Sequence, residues 1–191
     1  MKATEILSSE HRVIERVITA LESGSDELQS GHPVPAEFFL DASDFIRGFA
    51  DGCHHRKEEG VLFKALSENG LPMQAGPLAV MLAEHEQGRG FNRGLREAAE
   101  CYQAGDQSAR EKIIYNAIGY ASLLRDHIQK EDQVLFKLAD RMIPSQEHDG
   151  VLEGFEHVEH AETGAGIHEK YLALAERLEK EALAFQPASG R

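Results

Sequence analysis

Apolar residues recur at three- and four-residue intervals along most of the chain, and nowhere convincingly in the alternation of a strand. Ile6, Leu7, Ile14, Ile18 and Leu21 form one stripe over residues 3–23, with Thr4 or Ser8 as a cap and Ser23-Gly24-Ser25 as the stop. After a polar loop containing His32-Pro33-Val34-Pro35, a second helix is expected from Ala36 to about Asn69-Gly70. It carries Phe38, Phe39, Phe45, Ile46, Phe49, Val61, Leu62 and Phe63, while Gly48, Gly52 and Gly60 weaken it and predict a kink. A third helix runs from Pro77, a favourable first-turn residue, to Gln103 and ends at Gly105. A fourth runs from about Asp106 to Arg141, broken by Ile143-Pro144.

Four long helices with short to medium loops predict an all-α fold, an up-down-up-down four-helix bundle over residues 1–143. Residues 144–191 read as a C-terminal helical extension packed on the outside of that bundle. Asp149-Gly150, Gly154, Gly164 and Gly166 interrupt its first part, Ile167–Phe185 is cleanly amphipathic, and the tail 186–191 is expected to be disordered.

One stretch occurs twice. Residues 54–63 read H-H-R-K-E-E-G-V-L-F and residues 127–136 read H-I-Q-K-E-D-Q-V-L-F. Without a gap, His54 aligns with His127, Lys57 with Lys130, Glu58 with Glu131, and Val61-Leu62-Phe63 with Val134-Leu135-Phe136. Each copy sets a His and a Glu four residues apart, about one helical turn with a rise of ~6 Å, so the two side chains point the same way. An imidazole and a carboxylate together on an inward face suit a first-row metal ion.

The doublets need arbitration. Ala50 and Ile46 stand one and two turns before His54, whereas Asp51 and Arg47 precede His55. His54 and Glu58 are therefore placed on the apolar stripe, with His55 and Glu59 nearer the wet side. On the fourth helix, His127 follows Tyr120, Leu123 and Leu124, and Glu131 is favoured over Asp132, which stays a second choice. His11, between Leu7 and Ile14, and His85, after Leu78, Met81 and Leu82, give the other two helices one inward histidine each. Four imidazoles and two carboxylates converging in a core without a cation would be hard to sustain, because buried unpaired carboxylates are costly. A metal site formed by His11, His54, Glu58, His85, His127 and Glu131 is the economical reading.

The other histidines have ordinary explanations. His32 lies in a loop and His148 in a turn, and His157, His160 and His168 cap or pack in the C-terminal segment. Cys53 reads as a small packed hydrophobe, and two cysteines, Cys53 and Cys101, make no disulfide framework. Tyr120 could be core or could hydrogen-bond an oxygen species. The formal net charge of −13 argues against nucleic acid and anionic membranes. The N-terminal residues lack an apolar run of signal-peptide length, so the expected location is the cytoplasm.

In the order His, His-x3-Glu, His, His-x3-Glu, the segments E-H-R-V-I-E at 10–15, H-H-R-K-E-E at 54–59, E-H-E-Q-G-R at 84–89 and D-H-I-Q-K-E at 126–131 resemble the hemerythrin-like, or HHE cation-binding, family over about residues 3–140. The resemblance implies two non-haem iron ions with an oxo or hydroxo bridge, both carboxylates bridging, and His11, His54, His85 and His127 as terminal ligands. O2, NO or peroxide would be the small ligand. The chain departs from the oxygen carriers of that family. They place His-x3-His on the third helix, where this chain has Met81 and Arg89 one turn either side of His85. They also carry His-x4-Asp on the fourth, a spacing that Asp132 satisfies. One imidazole fewer implies an extra open position and favours redox chemistry or sensing over simple carriage. Two functions follow: a binding or sensing protein for O2, NO or iron, and a redox enzyme decomposing peroxide or reducing O2 or NO. The C-terminal helix is a candidate surface for a homodimer or a regulatory protein.

Overall fold

The computed structural model describes residues 2–164 and 166–185. Among these are six helices, two short 3-10 turns and no strand. Helix α1 is Ala3–Gln29, α2 spans residues 36–68, α3 is Gly76–Gln103, α4 spans residues 110–142, α5 spans residues 148–163 and α6 is Ile167–Phe185. The first four form the bundle, with α4 packed on α1 and α3, and α3 on α2. The expected all-α helical bundle is present. The tail 186–191 lies outside the described residues.

Helix α1 runs about one turn beyond the expected stop at Ser23-Gly24-Ser25, to Gln29. Gly24 and Ser25 are buried, and Ser25 Oγ donates back to the Leu21 carbonyl at 2.8 Å. A Cβ on Gly24 would stand 2.5 Å from the Phe38 ring. Gly24 therefore serves close approach to α2 and does not end the helix, which continues to bury Leu28.

Helix α2 runs unbroken past Gly48, Gly52 and Gly60 and contains two π-helical stretches, Ile46–His55 and Glu58–Leu62. Helix α4 has one at the equivalent place in the repeat, Glu131–Leu135. Bonding from i to i+5 inserts a residue into each turn and steps the inward stripe along by one position. The glycines fit this geometry. A Cβ on Gly52 would come to 2.9 Å from the Arg47 carbonyl oxygen, and one on Gly48 would overlap the Tyr171 hydroxyl of α6.

The C-terminal helices reach into the interior. Tyr171, Leu174, Ala175, Leu178 and Ala182 of α6 join the apolar cluster of Ile14, Phe45, Phe49 and Leu124, while Val151 and Phe155 of α5 join that of Leu7, Leu62, Phe63, Met81, Leu135 and Phe136. These two clusters fill the bundle along its length. Between them, one polar layer is sandwiched on every bundle helix.

Candidate metal centre

That layer holds His11 of α1, His54, His55 and Glu58 of α2, His85 of α3, and His127 and Glu131 of α4. None is more than 3% exposed. All six residues singled out from the sequence come together here. His55 does too, and its placement near the wet side is corrected. The prediction extended an α-helical period through Arg47 and Asp51, but the π-helical register over Ile46–His55 turns two consecutive histidines inward.

Two groups emerge, each with one donor atom per residue lying within 4.8 Å of the others: His11, His54, Glu58 and Glu131, and His55, Glu58, His85 and His127. Glu58 belongs to both, its Oε1 3.4 Å from His54 Nε2 and its Oε2 3.4 Å from His85 Nε2. Glu131 Oε2 is 3.2 Å from both His11 Nε2 and His127 Nε2. Both carboxylates thus stand between the two groups of rings.

The outward nitrogens are as ordered as the inward ones. His11 Nδ1 pairs with Asp132 at 2.9 Å, His54 Nδ1 with Glu10 at 2.9 Å, His85 Nδ1 with Glu59 at 2.7 Å and His127 Nδ1 with Glu84 at 2.9 Å; His55 Nδ1 faces Asp51 at a longer 3.4 Å. Each carboxylate is neutralised in turn: Asp132 by Arg12, Glu10 by Lys57, Asp51 and Glu59 by Arg89, and Glu84 by Lys130. Asp132 and Glu59, the alternative inward residues, occupy this outer layer. The sequence repeat therefore extends to the supporting groups. Lys57 holds Glu10 against His54 as Lys130 holds Glu84 against His127, and the pairs Glu10-His11 and Glu84-His85 correspond. The symmetry breaks at His55, whose counterpart in the repeat is the buried Ile128.

An ionised carboxylate only accepts hydrogen bonds, so each Nδ1 beside one carries its proton and each neutral ring presents a bare lone pair at Nε2. Burial opposes ionisation of Glu10, but His54 and Lys57 outweigh it and hold the carboxyl at about 2. Burial likewise opposes ionisation of Glu59, Glu84 and Asp132, and their His, Arg and Lys partners keep all three below the ordinary carboxylate range. Burial opposes charge on His127, but Glu131 raises it above the usual imidazole value, and its Nε2 faces His85 Nε2 at 3.1 Å. The centre also contains polar atoms without a hydrogen bond: both oxygens of Glu58, both of Glu131, and Nε2 of His11 and His55. Buried polar atoms are almost always satisfied, and seven converging donors with these orphans fit metal ions.

Without a cation, the charges are strained. Burial and the neighbouring Glu131 push the Glu58 carboxyl well above its ordinary range, while His127 and His11 overcome burial to hold Glu131 well below it. Burial keeps His54 neutral, down to about 4, and lowers His55 further below the usual imidazole value. His11 goes the other way: burial opposes its charge, but Asp132 and Glu131 raise it to about 9.

The hemerythrin HHE cation-binding domain matches residues 2–139, close to three-quarters of the chain. The chain belongs to the hemerythrin HHE cation-binding family. Among curated relatives, uncharacterized proteins of Mycobacterium tuberculosis and Mycobacterium bovis are 28% identical over 166 residues, which is 85% of this chain and 63% of theirs. The chain thus spans less than two-thirds of the length of the curated relatives it matches. No solved structure matches. No helix among the described residues is long and apolar enough to cross a membrane.

Phe136 stacks on the His11 ring at 5.3 Å and Phe63 on His85 at 5.9 Å, so apolar walls close on the centre from the Leu7–Phe136 cluster. Tyr120 is buried, with no protein partner for its hydroxyl among the described residues.

Proposed function

We propose that this HHE protein holds two non-haem iron ions at His11, His54, His55, Glu58, His85, His127 and Glu131, and binds or senses O2 or NO there. The observation that carries this reading is the convergence of five Nε2 atoms on two shared carboxylates, each ring backed by a carboxylate at Nδ1. Such backing fixes the tautomer and raises the basicity of the nitrogen that would face a metal. Imidazole with carboxylate is a donor set suited to non-haem iron, and iron so held would supply the electrons that reversible binding of a diatomic molecule requires.

The chain's own residues divide the work. Glu58 and Glu131 would join the two ions, and His55, His85 and His127 would complete one. His11 and His54 would serve the other, where the repeat supplies Ile128 in place of a third imidazole and so one protein donor fewer. With His55 included, the centre has five imidazoles, so no missing ring sets it apart from an oxygen carrier. Phe63, Phe136 and the flanking apolar clusters would keep bulk water, and hence protons, from a bound ligand.

The test is spectroscopic. Ferrous protein titrated with NO or O2 should form an adduct that reverts on degassing, without steady consumption of ligand. Continuous turnover of peroxide, O2 or NO by the loaded protein would instead make it a redox enzyme.

A further inference from the structure

The two copies of the repeat differ in how their lysines are housed. Lys130 is 42% exposed and pairs with Glu84. Lys57 is fully buried and is shared between two carboxylates, Glu10 at 2.5 Å and Glu159 at 2.9 Å. Glu159 comes from the π-helical stretch Val158–Thr163 at the end of α5, beyond residues 2–139 that the family match covers. The same stretch is pinned to α2 by Thr163 Oγ1, which donates to the Gly52 carbonyl at 3.3 Å. His168 follows, its ring 5.2 Å from that of Phe49 and its Nδ1 3.8 Å from Glu159.

Glu10, Cys53, Glu159 and His168 have the composition of a further cation site. Lys57 already supplies the positive charge between Glu10 and Glu159, so these residues do not call for an ion. They form a chain of contacts instead, from Glu159 through Lys57 and Glu10 to His54 Nδ1, and so to one side of the metal centre only.

We propose that Glu159 is a positioning residue for the His11–His54 half of the centre, acting through Lys57 and Glu10, so that the C-terminal segment tunes one of the two ions. This rests on the metal-centre reading given above. With Glu159 in place, Lys57 divides its charge and hydrogen bonds between two carboxylates, and Glu10 keeps enough negative charge to polarise His54. With Glu159 neutralised, Lys57 acts on Glu10 alone, and His54 becomes a poorer donor at Nε2. Outer carboxylates of this kind typically change metal affinity by about 10- to 100-fold when removed. A residue one contact further out should sit at the low end, about 10-fold.

The experiment compares wild type, Glu159→Gln and Thr163→Ala in the full chain. Thr163→Ala removes the neighbouring contact of the same segment and leaves the charge chain intact. In metal-free protein, imidazole 15N shifts of His54 should move in Glu159→Gln, while those of His127 should not. In iron-loaded protein, release to a chelator should become biphasic in Glu159→Gln, with one of the two ions leaving about 10-fold faster, and Thr163→Ala should behave as wild type. Unmoved His54 shifts, or equal effects from Thr163→Ala, would overturn the proposal. A wild-type chain that takes up no iron would sink the metal-centre reading, and the metal-free spectra would still decide whether Glu159 reaches His54.

Discussion

Glu58 reaches His54 Nε2 through one carboxylate oxygen and His85 Nε2 through the other, 3.4 Å in each case, and hydrogen-bonds neither. A buried carboxylate so placed is a liability to the empty fold and an asset only to a cation between the rings. Burial and Glu131 push its carboxyl well above the ordinary range, so charge at this position is disfavoured in the metal-free protein. Glu58→Gln should therefore leave metal-free stability within about 1 kcal/mol of wild type or raise it, since an amide of the same shape removes a disfavoured buried charge. The same change should abolish binding of both ions. Thermal melts with and without iron check the two halves of this prediction.

His55→Leu separates the two groups. Leucine removes a donor with little loss of volume, and burial already disfavours charge at this position. The ion assigned to His55, His85 and His127 should weaken by more than the ~10- to 100-fold typical of losing an outer partner, while the other persists. Competitive chelation that shows two unchanged ions would return His55 to a packing role.

Metal uptake should release protons. His11, raised to about 9, holds a proton at pH 7 in the metal-free protein and must give it up to face a cation, and the upward push on Glu58 acts in the same direction. Affinity should consequently rise with pH through the neutral range and fall as acid restores those protons. Calorimetry in buffers of different ionisation enthalpy measures the release, and heats independent of buffer would contradict it.

The fold and most of this site could be read in the sequence because the repeat and the helical stripes agreed. His127 stands where an α-helical period puts it relative to Leu123 and Leu124, and Glu131 follows it by four residues; His54 and Glu58 face inward as well, although Ile46–His55 is π-helical. His55 was missed because that period fails over Ile46–His55, and nothing in a stripe of apolar residues signals a π-helical register. Glycines were read as weak points, yet Gly24, Gly48 and Gly52 mark close approaches. The supporting layer of Glu10, Glu84, Glu59 and Asp132 was visible only as doublets beside the chosen residues. Their partners lie 26 to 121 positions away in the chain, a pairing that helix packing creates and local pattern does not encode.

Gly24→Ala tests one of those approaches. Helix propensity alone predicts a gain of ~1 kcal/mol for replacing a mid-helix glycine by alanine. Against it, the new methyl would lie 2.5 Å from the ring of Phe38, itself buried and packed edge-on against Phe39 and Phe185. Overpacking of this kind costs ~1–3 kcal/mol, so the net change should be destabilising. A lower denaturant midpoint with an unchanged slope is the expected result.

The two cysteines should differ in reactivity. Cys53 is buried beside the Lys57 contacts, and burial pushes its thiol up to about 11; Cys101 lies exposed on α3. Iodoacetamide at neutral pH should modify the native chain at Cys101 alone, with Cys53 reacting only after denaturation. Peptide mass spectrometry reads both positions.

The central claim concerns what the converging rings hold, and metal content decides it. Protein purified anaerobically from cells grown with ample iron should carry about two irons per chain, as two donor groups sharing two carboxylates require. Admission of air should bring new near-ultraviolet absorption as the pair oxidises. Stoichiometric zinc, or no metal at all, in protein grown this way would contradict the account.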